Sequence, residues 1–544
     1  WVQEIPGGET LGVYWKILNK SSSLELFLSS SLKKGSTEAW ESSKNLVDKS
    51  SQKGFSKIAS ETVGWYENYW EKVPEIEIPD KEISQLYHMG MYRLGGLCSP
   101  KAPPATLQGP WVEDHRMPPW GSDYHFNINV QECYWPVFGG NIPEFILPFF
   151  EMIESWKPIL NEYAENFVGV KNGLLLPNST DDKGRGMGGF WPGHVDHSCT
   201  AWVAQLMWLY WKYTLDDKFL KDTLYPFIDS VIKVYSAMLE EDEDGVLFLP
   251  AETSPEYNEN RLNAWGRNPS IHLASIHFLA SSLLDISKRL EIDNCKQKKW
   301  KNIVSKLPIS SITAENEIGI WDGQTLDEPH RHFSHMAAFH PFDLLNWRNS
   351  KKDARLIENT VEKWIAQGTG LWAGWSFPWA SIIYSRLGRS EAAHTMLSIF
   401  RRCFMANDYA YRYLPNKKCF TVEPGDNSIM QIEAGMASAA AVMEMCVYSS
   451  QGVLYPFAGI PPYWENVSFK DIRTEGAFLV SGKKINGVIT QLTVYSEKEN
   501  YLEIAIPEGE FVIQKGKKES FFEGGGVYKT VTSPKEKIKI FKRT

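Results

Sequence analysis

The chain has 544 residues, which is long for one ordinary hydrophobic core, so about two to four domains are expected. Its 43% hydrophobic and 23% charged residues are typical of a soluble globular protein, and its 22 tryptophans are well above ordinary usage. The net charge of −9 argues against nucleic acid or an anionic membrane as a partner. The sequence contains no run of about 18 apolar residues, which is the length that a membrane-spanning helix needs.

The N-terminal region combines a β-like segment with a helical one. Residues 1–35 contain two strand-like runs, Thr10–Leu18 and Ser23–Leu32, which are too short to fold alone. We interpret them as the end of an N-terminal β domain whose beginning is absent, and residues 36–78 as a helical linker. Because the chain starts inside strand-like sequence, a signal peptide is neither indicated nor excluded, and both a cytoplasmic and a secreted location stay open.

Residues 79–450 have helical periodicity almost throughout. The predicted helices lie near residues 82–97, 142–165, 197–213, 216–240, 269–289, 296–306, 353–367, 374–387, 389–403 and 428–448, with further candidates at 125–138 and 333–348. They arrive in pairs, joined alternately by short polar turns and by long loops rich in Gly, Trp, His and carboxylates. We therefore predict a mainly α fold whose helical hairpins close into an (α/α)6 barrel. An open solenoid is the alternative, although no fixed repeat is visible.

After Gly452 the pattern changes to a period of two, with turns rich in Pro, Gly and Asn. The predicted strands are Ala477–Val480, Val488–Tyr495, Tyr501–Ile506, Phe511–Gln514, Val527–Val531 and Ile538–Phe541. Residues 451–544 are therefore predicted to form a C-terminal β-sandwich.

Four loops of the helical region combine aromatic rings with hydrogen-bonding side chains. They are Pro118–Asn129, Phe190–His197, Glu252–Trp265 and Asp327–His335. A sugar ring has a C–H face that stacks on aromatic rings and hydroxyl groups that need hydrogen-bond partners. One such loop could be a buried corner of the core, but four of them predict a carbohydrate site.

Glycoside hydrolysis needs a carboxylic acid that protonates the leaving oxygen and a second group that directs water or attacks the sugar. The candidate carboxylates in these loops and beyond them are Asp123, Asp196, Glu252, Glu256, Asp327 and Glu433. Pro255 fixes the backbone just before Glu256, while Glu433 opens an Ala- and Met-rich helix whose N-terminus would stabilise the anion of a base. The plain alternatives are a solvated loop Glu and a favourable first-turn Glu.

No metal, cofactor or nucleotide site is indicated. The segment His330–His335 carries three histidines, but their spacing fits no standard zinc motif, so sugar recognition or satisfied core histidines are better explanations. The seven cysteines form no close C-x-x-C pair, and no glycine-rich phosphate loop is present.

Taken in order, these blocks resemble glycoside hydrolase family 95, the inverting, exo-acting α-L-fucosidases. The longest block comprises Leu107-Gln108-Gly109, Pro118–His125, Asn127-Ile128-Asn129 and Tyr134-Trp135-Pro136. Later blocks are Thr253–Glu256, His330–His335, Gly374–Ser376 and Gln431–Gly435. The resemblance extends from the helical linker to the C-terminal sheet.

The resemblance implies that Glu256 is the general acid and that Asn127 and Asn129 activate the water. Glu433 falls where the family has the aspartate that orients them. A glycan is then the substrate, with no cofactor. The side chains predicted to bind it are Trp120, Asp123, His125, Trp191, Asp196, His197, Trp265, His330, His332, His335 and Trp375.

The chain departs from the family pattern in ways that bear on the sugar. Glu433 is one methylene longer than the family's Asp, so its carboxylate could reach the water itself. His194, Asp196 and His197 add ionisable groups where the family is more apolar, and His272 stands where it often has Asp. If these groups line the pocket, they favour the more hydroxylated α-L-galactose. A terminal α-L-fucoside is the expected substrate, and an α-L-galactoside is the alternative.

Three rival functions stay open. A polysaccharide lyase also uses helical toroids, but it needs a Tyr/His base pair and a basic cleft, which the acidic balance disfavours. A glycoside phosphorylase would need a phosphate-binding patch, for which the His-Arg-His segment is the only candidate. A non-catalytic carbohydrate-binding protein would keep the tryptophans and tolerate loss of Glu256. The sequence does not specify an oligomeric state.

Overall fold

The computed structural model of the chain describes residues 1–111, 115, 117–188, 196–261, 263–292, 295–406, 411–415 and 429–543. These residues group into two units, Trp1–Lys72 and Val73–Thr544. The helical segment that was predicted as a linker belongs mostly to the first unit.

The first unit is an antiparallel sheet with two helices. Its elements in chain order are β1 Val2–Ile5, β2 Glu9–Asn19, β3 Leu24–Lys33, α1 Ser36–Lys53 and α2 Phe55–Trp70, and the sheet order is β1-β2-β3. Helix α1 packs against β2 where Gly12 faces Ala39, and a Cβ on Gly12 would lie 2.4 Å from the Ala39 carbonyl oxygen. Gly54, with φ of 79°, separates the two helices.

The helices of the second unit agree closely with the predicted pattern. They are α3 Lys81–Leu97, α4 Asn129–Gly139, α5 Leu147–Ser155, α6 Lys157–Val168, α7 Ser198–Thr214, α8 Asp217–Phe219, α9 Tyr225–Met238, α10 Ser270–Arg289, α11 Lys296–Lys306, α12 Lys351–Gln367, α13 Ser376–Arg386, α14 Ser390–Ile399 and α15 Glu433–Cys446. The helix predicted over 142–165 is divided at Trp156, because Pro158 lacks the N–H of a continuous helix and starts α6 instead. The candidate at 333–348 contains only a short 3-10 turn, Ser334–Met336.

Five of these helices, α4, α7, α10, α13 and α15, are buried along most of their length. The last of them, α15, packs against α3, α4 and α13. Long loops lead into the N-terminal ends of these helices, so their first residues meet the loop side chains. Asn129 opens α4 and Glu433 opens α15.

Much of the tryptophan content lies in the core of this helical region. Trp364 stacks on Trp372 with ring centroids 5.2 Å apart, and Phe333 packs between them and Trp379. All four rings are at most 3% exposed. Buried aromatic rings of this kind contribute roughly 1.5–3 kcal/mol each, so these residues serve packing and not recognition.

The strands of the second unit lie mainly at the C-terminal end. They are β4 Glu75–Glu77, β5 Tyr124–His125, β6 Ser179–Thr180, β7 Glu240–Glu241, β8 Leu247–Phe248, β9 Val447–Ser450, β10 Val453–Pro456, β11 Val467–Thr474, β12 Phe478–Ile485, β13 Val488–Ser496, β14 Asn500–Ala505, β15 Glu510–Lys515, β16 Lys518–Glu523, β17 Val527–Thr532 and β18 Lys537–Lys542. A seven-stranded sheet has the order β16-β15-β18-β13-β12-β11-β4, and a four-stranded sheet has the order β17-β14-β10-β9. Strands β4 to β11 and β16 were missed. β16 is exposed along most of its length and lacks an apolar face.

Within the described part of the chain, no helix is both long and apolar enough to cross a membrane.

Candidate active site

A cavity of about 480 Å³ lies among the loops that lead into the buried helices. It is lined by Leu107, Trp120, Gly121, Asp123, His125, Asn127, Asn129, Ser179, Met187, Gly188, Glu256, Arg331, His332, Trp375, Tyr413 and Gln431. The loop Pro118–Asn129 supplies the largest share of this lining, and the loops around Glu256 and Arg331 face it.

The backbone of the loop 118–129 turns sharply so that its side chains point into the cavity. Trp120, Gly121 and Ser122 are all left-handed, with φ of 52°, 67° and 52°. This conformation is rare for a bulky aromatic residue and tends to occur at functional sites. Trp120 is 46% exposed and its ring lies edge-on to Tyr413, with centroids 5.3 Å apart. A half-exposed indole at the rim of a polar cavity can stack on a sugar face.

Glu256 is surrounded by nitrogen donors. Asn127 Nδ2 donates to Glu256 Oε1 at 2.9 Å, and Arg331 Nε donates to Oε2 at 2.9 Å. His332 Nε2 lies 3.1 Å from Oε2, close enough for an ion pair but outside hydrogen-bond geometry. His125 Nε2 is 3.7 Å from Oε1. Glu256 itself is left-handed, with φ of 55°, so its loop is fixed by its surroundings.

These charges set the ionisation of the cluster. Burial opposes the charge on Glu256, but the Arg331 guanidinium and the His332 ring outweigh it and hold the pKa well below its usual range. Burial also disfavours the charged form of His125, yet the nearby carboxylates of Asp123 and Glu256 raise its pKa to about 9. At neutral pH Glu256 is therefore an anion beside cationic groups.

Glu433 has a different environment. It is 0% exposed and is not part of the cavity lining. Its Oε1 accepts a hydrogen bond from Asn129 Nδ2 at 2.9 Å, and its Oε2 accepts one from the Ile432 backbone N–H at 3.0 Å. Burial raises the pKa of Glu433 to about 8 despite these bonds. Asn129 lines the cavity, so Glu433 reaches the cavity through this amide.

A second buried carboxyl lies near Glu433. Glu132 is on α4, one turn after Asn129, and is 0% exposed. Neither carboxyl oxygen of Glu132 has a hydrogen-bond partner among the described residues. Burial and the charge of Glu433 raise the pKa of Glu132 well above its usual value. The burial of Glu132 and its closeness to Glu433 therefore favour the protonated form of Glu132.

Two residues predicted to bind substrate lie elsewhere. Asp196 and His197 are buried outside the lining, where His197 hydrogen-bonds Glu252 and Asp196 lies 3.5 Å from His272 Nε2. This buried group adjoins the loop of Glu256 but does not face the cavity.

The other predicted substrate residues divide in the same way. Trp375 lines the cavity and lies 4.7 Å from the His332 ring, as centroids. His330 and His335 are buried outside the lining, and burial lowers the pKa of each to about 3. Trp265, 36% exposed, is also outside the lining. Asp327, a candidate acid, accepts a hydrogen bond from Tyr257.

Trp191 and His194 lie outside the described residues. Among the residues that are described, no group of three or more His, Cys, Asp or Glu side chains is placed to hold a metal ion.

The most important residue that the sequence analysis did not assign to a sugar site is Arg331. It binds the carboxylate of Glu256, and Ser376 Oγ donates to its backbone carbonyl at 3.0 Å. The signal was its place between His330 and His332, in a block already noted for its imidazoles. Ser179, Met187 and Tyr413 also line the cavity and carry no local motif that predicts this, whereas Gln431 belongs to the block Gln431–Gly435.

The helical region is similar in sequence to known proteins. The model of the glycosyl hydrolase family 95 catalytic domain matches residues 58–446. "Alpha-L-fucosidase 2" of Arabidopsis thaliana is 28% identical over 434 residues, which cover 76% of this chain and 50% of the relative. "Probable alpha-fucosidase A" of Aspergillus niger is 24% identical over 428 residues, covering 73% and 51%. The chain thus spans about half the length of these curated relatives.

Among solved structures, the fold of a phosphorylase is similar over nearly the whole chain. A putative kojibiose phosphorylase from the human microbiome superposes with a TM-score of 0.65 at 12% identity, covering 97% of this chain and 78% of that one. At this identity the likeness concerns the fold alone.

Proposed function

The chain belongs to glycosyl hydrolase family 95, and on this premise we propose that it is an exo-acting glycoside hydrolase that removes a terminal α-L-fucoside, or a closely related sugar, with inversion. One observation carries the proposal: two asparagine amides line one cavity, and each is bonded to a different carboxyl group. Inverting hydrolysis needs two carboxyl groups, one for the leaving oxygen and one for the water.

Of the two carboxyl groups that are bonded to asparagine amides, Glu256 is the one that lines the cavity, so it takes the role of general acid. The lowered pKa of Glu256 is opposite to what an acid needs, since a general acid must carry a proton. Sugar hydroxyls that bond Arg331 would weaken the contact of its guanidinium with Glu256. The pKa of Glu256 would then rise when substrate binds, which is when the proton is required.

Asn129 takes the role of the residue that holds the water. Its Nδ2 donates to Glu433 Oε1, so its Oδ1 is the atom left to take a proton from the water, while an Nδ2 proton passes to the Glu433 carboxylate. Glu433 acts on the water through this amide, because its carboxyl lies outside the lining. Asn127 is bonded to Glu256, so its main role is to orient the acid rather than the water.

The reverse assignment is the second candidate. At neutral pH Glu433, with a pKa raised to about 8, carries the proton and Glu256 does not. Glu433 would then be the acid and Glu256 the base. The burial of Glu433 opposes this, because an acid has to reach the glycosidic oxygen.

The α-L-fucoside stays the leading substrate. An α-L-galactoside would be favoured if the added polar groups lined the pocket. The three of these groups that the structure describes lie outside the cavity lining; they are Asp196, His197 and His272. Leu107, Met187 and Trp375 give the cavity apolar surface that suits the methyl group of a 6-deoxy sugar.

We also infer that the helices of residues 79–450 close into the (α/α)6 barrel, followed by the β-sandwich. The packing of α15, the last helix, against α4 supports this closure. The two C-terminal sheets support the sandwich.

The test is a side-by-side assay of aryl α-L-fucoside and aryl α-L-galactoside in phosphate-free buffer, with NMR detection of the first anomer released. We expect faster hydrolysis of the fucoside and a product of inverted configuration. Preference for the galactoside would overturn the sugar assignment, and a retained anomer would overturn the mechanism. Turnover that depends on added phosphate would indicate a phosphorylase. No turnover of either glycoside would contradict the proposed activity.

A further inference from the structure

Four buried titratable side chains surround Thr253, three residues before Glu256. They are Asp196, His197, Glu252 and His272, with exposed fractions of 2%, 8%, 1% and 0%. None of them lines the cavity, and the proposed reaction assigns them no step. We call this group the buried quartet.

One half of the buried quartet is an ion pair. His197 Nδ1 donates to Glu252 Oε2. Burial opposes both charges, but the Glu252 carboxylate raises the pKa of His197 and the His197 ring lowers that of Glu252. The other carboxylate oxygen, Glu252 Oε1, accepts the backbone N–H of Thr253 at 2.9 Å.

The other half of the buried quartet, Asp196 and His272, lies at the carbonyl group of Thr253. His272, in the first turn of α10, donates from Nε2 to the Thr253 carbonyl oxygen at 3.0 Å. Asp196 Oδ1 lies 3.5 Å from that nitrogen and accepts the backbone N–H of Ser198 at 3.0 Å. Both main-chain groups of Thr253 are therefore bonded by side chains of the buried quartet.

The backbone beyond Thr253 needs such support. Glu256, Asn258, Glu259 and Asn260 have φ of 55°, 49°, 54° and 50°, in the left-handed region. Non-glycine residues keep this conformation only when their surroundings over-determine it. Ser254, whose Oγ lies 2.7 Å from Ser334 Oγ, gives a second attachment.

We propose that His272 is a positioning residue for the general acid: through the Thr253 carbonyl, it fixes the loop so that the Glu256 carboxyl reaches the glycosidic oxygen. This inference rests on the proposed role of Glu256. His272 contacts no substrate in this account and is not itself a catalytic residue.

The test compares two aryl glycosides of the preferred sugar. A dinitrophenyl leaving group departs without protonation, whereas a phenyl leaving group needs the acid. A misplaced acid therefore slows only the second substrate. We expect His272→Leu to lower kcat for the phenyl glycoside by about 10–100-fold, a part of the roughly 10²–10⁴-fold that general acid catalysis supplies, and to leave the dinitrophenyl glycoside nearly unchanged. His272→Gln, whose amide can donate from a similar position, should restore the phenyl rate.

His277→Leu is the matched control. His277 is on the same helix and is 6% exposed. It donates from Nε2 to the Leu307 carbonyl oxygen at 2.6 Å and does not bond the loop that carries Glu256. Its loss removes the same kind of bond, so any change in rate should be equal for both substrates. If His272→Leu does not fold, His272→Asn gives the same test, because its shorter amide cannot reach Thr253.

Glu256→Gln, measured in parallel, separates the two proposals. If it slows the phenyl glycoside selectively but His272→Leu slows both substrates equally or neither, the positioning role is wrong and the proposed function stands. If Glu256→Gln shows no selectivity, Glu256 is not the acid, and the role of His272 falls with it.

Discussion

Glu256 and Glu433 are both carboxyls bonded to asparagine amides two residues apart, yet their surroundings differ. Glu256 faces the cavity, with 15% of its side chain exposed, and is clamped by Arg331. Glu433 is fully enclosed, is held by an amide and a backbone N–H, and has the second buried carboxyl, Glu132, nearby. The amide contact is common to both, so the neighbouring charges and the degree of enclosure decide which carboxyl is ionised.

The first prediction tests whether the two carboxyl groups differ in function, by removing the asparagine amide bonded to each one separately. Asn129→Ala should lower kcat/KM by roughly 10–200-fold, because the amide hydrogen bond to the ionised Glu433 of the reacting form is worth about 1.5–3 kcal/mol. Asn127→Ala should lower kcat/KM by a smaller factor. This decrease should disappear when the substrate has a leaving group that needs no proton. Steady-state kinetics on both substrates measures this. Equal losses from the two variants on both substrates would show that the amides share one role.

The second prediction concerns the clamp on Glu256. In Arg331→Met the cation that lowers the pKa of Glu256 is gone, so the pKa rises and the acid stays protonated to higher pH. The basic limb of the kcat/KM profile should move up by about 1–3 pH units. Arg331→Lys, which keeps the charge, should shift it less. If the acidic limb moves up instead, Glu256 acts as the base.

The smallest expected effect is on stability, at the Glu433 side of the comparison. Glu132→Met replaces a buried carboxyl, without a hydrogen-bond partner in the described part of the chain, by an apolar side chain of similar length. The free energy of unfolding should increase by about 1–3 kcal/mol at neutral pH.

The pH dependence of that gain checks its cause. The pKa of Glu132 is higher in the folded chain than its ordinary value of 4.5, so the folded state is penalised as pH rises above that value. The gain from Glu132→Met should therefore grow from pH 5 to pH 8 in urea unfolding. Glu132→Gln should gain less. A destabilised Glu132→Met would mean that Glu132 has a stabilising partner.

The sequence predicted the elements whose pattern is local. The helical segments from α3 to α15 follow their hydrophobic period, and the family membership follows from blocks such as Pro118–His125. Errors occur where a single residue or an edge decides the outcome. Pro158 divides a predicted helix, and β16 has no apolar face.

The candidate site was predictable only in part, because loop residues with the same chemistry can face opposite ways. Asp123 and Asp196 both lie in aromatic loops. Asp123 lines the cavity, whereas Asp196 is buried outside the lining and accepts a hydrogen bond from the Ser198 backbone N–H. Arg331 was not recognised as a clamp, since its partner, Glu256, is 75 residues away in the chain. These distinctions depend on tertiary packing.

The central claim is that Glu256 supplies the proton and Glu433 acts on the water. It is tested most directly by measuring Glu256→Gln and Glu433→Gln on the phenyl and dinitrophenyl glycosides. We expect Glu256→Gln to lose about 10²–10⁴-fold on the phenyl glycoside and little on the dinitrophenyl glycoside, and Glu433→Gln to lose activity on both. The opposite result, in which only Glu433→Gln is rescued by the better leaving group, would contradict the claim and assign the acid to Glu433.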